Sequence, residues 1–402
     1  MKENKIYKAI VVGGGASGLI STIELLSGKN ALNPSEVLLI ERNDRVGKKL
    51  LATGNGQGNI TNAKIEESRY HGNLSFIKNF IENYNFINLE EYFNSLGIFL
   101  TEDKEGKKYP LSKQASAVLD VLRAVLTFKG ANIVTSQQIQ KITEKDGVFN
   151  LIGKDAEFFS RSVILACGGK AGKQFGTDGT AYSLATGFNH KLTNLFPSLV
   201  QLKTETDKIK GLKGLKERVK LTAFDGDKEL FSSTGDLLFT DFGISGNTVF
   251  SVSPYLVSAK NPSVKIEFLP DLNSEELIKI VDKVLDKKYF NSTGLLCGIL
   301  NKRIGDCVLK TANDKTPKGV SLALKDFRLK VLGSLGFDYA QVTRGGINTL
   351  DIDAKTYQSK LKRGLYIVGE MLDIDGDCGG FNLAFAFTTG IISAKSIKNQ
   401  FN

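Results

Sequence analysis

The sequence predicts an α/β fold, a parallel sheet flanked by helices and interrupted midway by a β-rich, barrel-like insertion with a small helical subdomain. Three observations predict it. A short apolar, β-branched run at 7–12 passes through glycines into a helical stretch at 16–28 and a second apolar strand at 37–41, a βαβ unit of about 35 residues. Residues 198–270 alternate polar and apolar, with turn signals at Asp225-Gly226 and Thr234-Gly235. From residue 364 the chain returns to strand, loop and helix. The first domain is therefore discontinuous, residues 1–190 and 341–402. The β-rich domain takes 191–272 and 331–340, and the helical insertion 273–330.

Each element has its own signal. The start, Met1 to Leu19, carries lysines and an apolar run that imitate a leader, but Ala9-Ile10-Val11-Val12 is short and flows into three glycines, as a buried strand does. Residues 43–62 form a long loop patterned in glycine and asparagine, a length that points to function. Helical spacing covers 74–96 and 112–129. Short strands follow over 132–159, broken by a hairpin signal at Asp146-Gly147. Ser162 to Ala166 is another buried strand, ending in Cys167-Gly168-Gly169. The helical insertion opens at a cap, Asn273-Ser274-Glu275-Glu276. The last strand spans 364–369 and the last helix 382–397.

The 402 residues suit two to three domains, with no repeat and no low-complexity tract. Net charge is +10, from 53 Lys+Arg against 43 Asp+Glu, without a dense cationic block. This argues for solvated faces and against a nucleic-acid stripe. Four cysteines form no Cys-x-x-Cys pair and there are two histidines, which argues against a structural zinc site and a disulfide framework, excludes a redox cysteine pair, and fits a reduced cytoplasmic compartment. No apolar run reaches the about 18 residues of a membrane span.

The chemistry begins at Val12-Gly13-Gly14-Gly15-Ala16-Ser17-Gly18, a G-x-G-x-x-G between strand and helix. Its glycines permit a tight turn, close approach to a pyrophosphate and close helix–strand packing, and the helix N-terminus favours the phosphates. Glu41 ends the next strand, where an acid accepts hydrogen bonds from a ribose. That much implies a dinucleotide. The choice of FAD comes from the far end: Gly369-Glu370 closes a strand and can bond a ribityl chain, and Gly379-Gly380-Phe381-Asn382 opens a helix whose N-terminus suits the charge that builds on an isoalloxazine ring.

Seven segments together carry a resemblance: VVGGGASGL (11–19), VGKKLLATGNGQGNITN (46–62), YPLSKQASAVLDVL (109–122), VILACGG (163–169), LFTDFGISG (238–246), VTRGGI (342–347) and GLYIVGEMLDIDGDCGGFNLAFAFTTG (364–390). On them the chain resembles the aminoacetone oxidase-like FAD-binding family, related to a bile-acid 3-dehydro-Δ4,6-reductase. The resemblance implies a Rossmann-like, two-dinucleotide-binding-domain flavoprotein fold. It implies FAD contacts at Gly13, Gly15, Ala16, Ser17, Gly18, Glu41, Arg42, Lys48, Lys49, Asn55, Ile139 (through its backbone), Ala166, Gly168, Gly169, Glu370, Gly380, Asn382 and Leu383. Three departures reshape the pocket: Gln57-Gly58 where the family has Arg-Cys, Asn247 where proline usually follows, and Ala384-Phe385 where Gln-Trp is usual.

Among other residues, Cys378 reads as packing and His190 as structural, while Arg344 is a candidate substrate anchor and Tyr109 and Asp241 candidate proton donors. The expectation is an FAD-dependent oxidoreductase moving hydride between a small organic substrate and flavin N5. A second G-x-G-x-x-G after a strand is missing from 130–280, so any NAD(P)H donor reaches the flavin through the substrate pocket. The leading expectation is an NAD(P)H-linked reductase or dehydrogenase. The alternatives are an oxygen-using amine oxidase and, from other classes, a tRNA-directed flavoprotein or a flavin-binding protein without turnover.

Overall fold

The computed structural model describes residues 5–287 and 293–401. Residues 1–4 of the leader-like start and 288–292 of the expected helical insertion lie outside the described residues. Two compact units form, Met1–Phe196 with Val342–Asn402, and Pro197–Gln341.

The first unit is built on a seven-stranded sheet. Its parallel part runs in the order Asn132–Val134, Val37–Ile40, Ile6–Val12, Glu157–Leu165, Leu365–Ile367. Val37–Ile40 and Leu365–Ile367 are buried at every position, as strands covered on both faces must be. The antiparallel strands Val148–Gly153 and Ile139–Lys145 extend the sheet from the N-terminal half of Glu157–Leu165. Register decides the function of this sheet. Val12 pairs with both Ile40 and Leu165, Ile40 with Val134, and Leu165 with Ile367. The five parallel strands therefore end level, and the residues beyond them emerge along one carboxyl edge, where open α/β sheets bind ligands.

Two helices from opposite ends of the sequence close over one another, Ala16–Leu25 and the final helix, Phe381–Gln400. They meet where Ser21 Oγ donates to the Gly390 carbonyl at 3.0 Å, and where Lys398 Nζ meets Glu24 Oε1 at 2.6 Å. The helical stretch expected at 74–96 is two helices, Leu74–Ile87 and Leu89–Ser95. Asn88 breaks it by adopting φ 47°, and its side chain accepts from the Glu91 N–H at 3.4 Å. The segment 43–62 is not structureless: it holds a short helix Lys48–Leu51, a 3-10 turn Thr53–Gly56 and a strand Thr61–Asn62 paired with Lys107–Pro110.

The second unit is a closed antiparallel barrel, Leu202–Thr204, Gly243–Ser245, Lys228–Phe239, Lys216–Asp225, Pro262–Phe268 and Phe327–Ser334, the last pairing back to the first. Val219, Leu221, Val264, Ile266, Phe268 and Leu329 belong to one buried cluster, so the interior is a packed core rather than a pore. The helices Ser274–Leu285, Lys302–Thr311 and Pro317–Lys325 bury Leu277, Val281, Ile304, Val308, Val320 and Leu324 in that same cluster. Within the stretch expected to be β, Asn247–Leu256 is a helix, because Val249, Val252 and Leu256 recur at helical spacing and all three are buried. The α/β core with a barrel-like insertion is the fold class the sequence predicts. Among the described residues no helix is long and apolar enough to cross a membrane.

The Glu24–Lys398 pair is buried on both sides, and Tyr92 Oη also donates to Glu24, at 3.0 Å. Lys398→Met leaves that carboxylate without its cation and is expected to cost about 3–5 kcal/mol in a denaturant unfolding experiment, with part of the loss recovered in E24Q/K398M.

Candidate functional site

The turn after the first strand can be made only by glycine at two points. Gly13 has φ 104°, and a Cβ there would lie 2.5 Å from the Ala166 carbonyl oxygen. A Cβ on Gly18 would lie 1.8 Å from the Gly13 carbonyl oxygen, so the helix start sits directly on the turn. Gly15 differs: a Cβ added there meets nothing within 4 Å. It is also the N-cap of Ala16–Leu25, and no side chain caps that helix. First-turn N–H groups, with the buried Ser17 among their residues, thus face open space at the positive end of a helix dipole. Those features fit a pyrophosphate.

Glu41 stands beside this turn and is 6% exposed. Its Oε2 accepts from the Gly14 N–H at 2.7 Å, and its Oε1 from the Asn43 N–H and Nδ2 at 2.7 and 2.8 Å. The Glu41 carbonyl accepts from the Gln137 N–H at 3.0 Å, which draws the segment leading into Ile139 alongside the strand end. Arg42 turns to Asp178 (2.9 Å) and the Gly176 carbonyl (3.1 Å). Burial alone would raise the Asp178 carboxyl, but the bonds from Arg42 and Thr180 outweigh it and hold the group at about 2.

A second group gathers where the strands Glu157–Leu165 and Leu365–Ile367 end. Lys49 Nζ meets Glu370 Oε2 at 2.7 Å and donates to the Ala171 carbonyl at 3.0 Å. Glu370 Oε1 accepts from the Thr343 N–H at 3.0 Å, and Thr343 Oγ1 accepts from the N–H groups of Lys170 and Ala171 at 2.8 and 2.9 Å. Gly169 packs against both: a Cβ there would lie 2.5 Å from Thr343 Oγ1 and 2.7 Å from Glu370 Oε1. Tyr182, on the short helix Tyr182–Thr186, has a buried hydroxyl without a hydrogen-bond partner, and burial followed by the charges of Glu370 and Asp373 pushes it far up.

The third group is the N-terminus of the final helix. Gly380 is its N-cap at φ 95°, again with no side-chain cap. Asn382 folds back on the preceding loop, accepting from the Gly376 N–H at 2.9 Å and donating to the Gly376 carbonyl at 2.7 Å, while Leu383 packs against the core. That loop is held by ion pairs of Arg344 Nε with Asp375 at 3.1 Å and of Arg69 with Asp377 at 3.5 Å, and by a hydrogen bond between His71 Nε2 and Asp377 at 3.2 Å.

The structure thus brings Gly13, Gly15, Ala16, Ser17, Gly18, Glu41, Ala166 and Gly168 to one edge, and Lys49, Gly169 and Glu370 beside it, since a Cβ on Gly369 would lie 2.9 Å from Ser17 Oγ. It separates the two lysines, because Lys48 pairs with Asp44 at 2.6 Å. Asn55 is exposed with φ 54°, in the turn beside Tyr109. Asp241 lies at the surface of the second unit against Lys213. His190 is buried, hydrogen-bonded to Ser359 Oγ at 2.7 Å and lowered by burial, which suits a neutral structural ring. The Cys167 thiol is pushed up to about 12 by burial and then by Glu41, and burial also raises Cys378. Sequence reasoning missed Thr343 and Asp178; the first lies within a recognised segment, VTRGGI, and the second within Gly-Thr-Asp-Gly, which reads as an ordinary turn.

Two outcomes are expected from these contacts. Gly15→Asp enters free space and supplies an N-cap, so Tm is expected to hold or rise, while the added charge weakens FAD binding about a hundredfold, or roughly 2.8 kcal/mol, in a fluorescence titration of the reconstituted protein. The Asp178 carboxyl is lowered from 3.8 to about 2, so its contribution to stability is present above 3.8 and is lost as pH falls through about 2. The stability gap between wild type and Asp178→Asn should therefore close over that window, read as the denaturant midpoint against pH.

The model of a family described as the HI0933-like protein Rossmann domain matches residues 7–396. The chain is 34% identical to a 3-dehydro-bile acid delta(4,6)-reductase of Clostridium scindens, over 96% of this chain and 98% of the relative. It is 28% identical to a ribosomal RNA dihydrouridine synthase of Haemophilus influenzae, over 97% and 98%. A 3-ketosteroid-delta4-(5alpha)-dehydrogenase from Rhodococcus jostii RHA1 superposes with a TM-score of 0.51 at 12% identity, covering 99% of this chain and 98% of that one, a likeness of fold. The chain belongs to the HI0933-like family and is an FAD-dependent oxidoreductase.

Proposed function

We propose that this protein reduces a carbon–carbon double bond conjugated to a carbonyl in a small organic substrate, drawing its electrons from NAD(P)H. What carries the reading is the 34% identity, along nearly the whole chain, to an enzyme named for reducing a 3-dehydro-bile acid at delta(4,6). Dihydrouridine, named in the next relative, is likewise a pyrimidine saturated at the double bond conjugated to its carbonyl. One chemistry covers both names.

When bound, FAD supplies the hydride donor and acceptor at N5. The backbone N–H groups of Gly15, Ala16, Ser17 and Gly18 would hold its pyrophosphate, and the Glu41 carboxylate, already oriented by Gly14 and Asn43, would accept from the ribose. The Ile139 backbone would border the adenine, with Arg42 and Lys48 at the rim. Lys49 and Glu370 would orient the ribityl hydroxyls, and Ala166, Gly168 and Gly169 would let the chain pass close. Asn55, Gly380, Asn382 and Leu383 would surround the ring, with the uncapped helix N-terminus stabilising negative charge there.

A second reading, a uracil within RNA as the substrate, is favoured by the ribosomal RNA dihydrouridine synthases of Haemophilus influenzae and Escherichia coli. Against it, five of the six cations over Lys208–Lys220 are matched by acids: Lys208 with Glu205, Lys213 with Asp241, Lys216 with Asp236, Arg218 with Asp271 and Lys220 with Glu267. Matched cations release few counterions from a phosphate backbone.

Anaerobic titration of the holoenzyme with NADH and NADPH should bleach the visible flavin band, and a 3-keto-Δ4,6 steroid or 2-cyclohexen-1-one should restore it. A flavin that neither nicotinamide reduces, but that an amine does, would sink the proposal in favour of an oxidase. Reoxidation by an rRNA fragment and not by any enone would favour the RNA reading.

A further inference from the structure

The polar surroundings of the final helix's N-terminus include one further charge. Lys107 opens the strand Lys107–Pro110, and its register partner is Asn62. Asn62 Nδ2 donates to the Gly379 carbonyl at 2.9 Å, which fastens the Cys378–Gly380 turn to this strand pair. Lys107 takes the same path: its Cε lies 3.4 Å from where a Cβ on Gly379 would stand. The ammonium therefore sits next to a 20-residue helix whose N-cap contributes no side chain. The glycine loop from Gly54 to Asn62 contains no cation of its own.

The partner of Lys107 is Glu105, and the two differ in exposure. The Lys107 side chain is 19% exposed and the Glu105 side chain 67%. Solvent screens the carboxylate far more than the ammonium, so the pair presents a net positive field inward. Burial opposes the charge on Lys107, but Glu105 more than offsets it and holds the group protonated.

We propose that Lys107 adds its charge to the N-terminal dipole of the final helix, with Glu105 as the moderating counter-charge, and that together they set the reduction potential of the bound flavin. Negative charge on the pyrimidine edge of the ring is stabilised by the ammonium and by the helix end, and the exposed carboxylate subtracts from both.

The test uses oxidised holoenzyme and needs no substrate. Sulfite, whose lone pair adds to the oxidised ring and pushes an electron pair toward the pyrimidine edge, reports the field there, and dye equilibration reports the two-electron potential. Lys107→Met is expected to bind sulfite about tenfold more weakly and to lie about 30 mV lower, the two-electron equivalent of tenfold. Glu105→Gln should move both quantities the other way, and Lys107→Arg should stay near wild type. Sulfite affinity and potential within twofold and its equivalent of wild type in both Lys107→Met and Glu105→Gln would overturn the proposal. If Lys107→Met fails to retain flavin, the sign of the shift in Glu105→Gln decides alone, since that side chain is exposed. Failure of every enone to react leaves this result standing, because it depends only on bound FAD.

Discussion

A buried carboxylate organises the ligand edge of this protein. Glu41 has left water, and a charge in that position is tolerated only when hydrogen bonds replace its hydration. Gly14 and Asn43 supply three, from the turn that precedes the first helix and from the residues just beyond the second strand. The same residue's backbone ties in the neighbouring segment through Val134 and Gln137. Satisfying one acid thus fixes the relative positions of three chain segments, and the level strand ends do the rest. A glycine turn aimed elsewhere would leave Glu41 Oε2 without the Gly14 N–H, so the cradle and the carboxylate stabilise each other.

Residues from early and late in the sequence meet where the first and last helices pack together. In the proposed binding mode Ala16–Leu25 would offer its N-terminus to one end of the dinucleotide, and Phe381–Gln400 its own to the other. Their mutual packing is close enough that a Cβ on Gly390 would lie 2.6 Å from the Ser17 carbonyl oxygen. Two helix ends held against each other in this way would suit the two ends of an extended dinucleotide. The Lys49–Glu370 bridge repeats the arrangement with side chains, joining residues from early and late in the sequence.

Much of this was legible in the order of residues. Short apolar runs leading into glycine announce buried parallel strands, and Glu41 follows directly on one; Glu370, expected to close a strand, lies in the 3-10 turn Gly369–Met371 just beyond it. Legibility stopped where conformation depends on a single side chain. Asn88 divides a helix that periodicity alone would continue, since asparagine tolerates the left-handed region and then caps the next helix. The helix Asn247–Leu256 was hidden because its neighbours alternate and short apolar runs suit either period. Thr343 could not be recognised as an anchor, because its work depends on backbone groups at 170 and 171 that only the fold brings near. Likewise nothing in the paired lysines at 48 and 49 tells which turns to Asp44 and which to Glu370.

The partial burial of Cys167 has a consequence for durability. A reduced flavin that meets oxygen can release peroxide beside the chain that holds it. Peroxide attacks thiolates, and a sulfur held at about 12 scarcely forms one at neutral pH. Cys167 also directs its proton to the Val12 carbonyl at 3.3 Å, which keeps the sulfur turned into the sheet. The sulfur next to Ala166 and Gly168 is therefore kept in its less reactive protonated form.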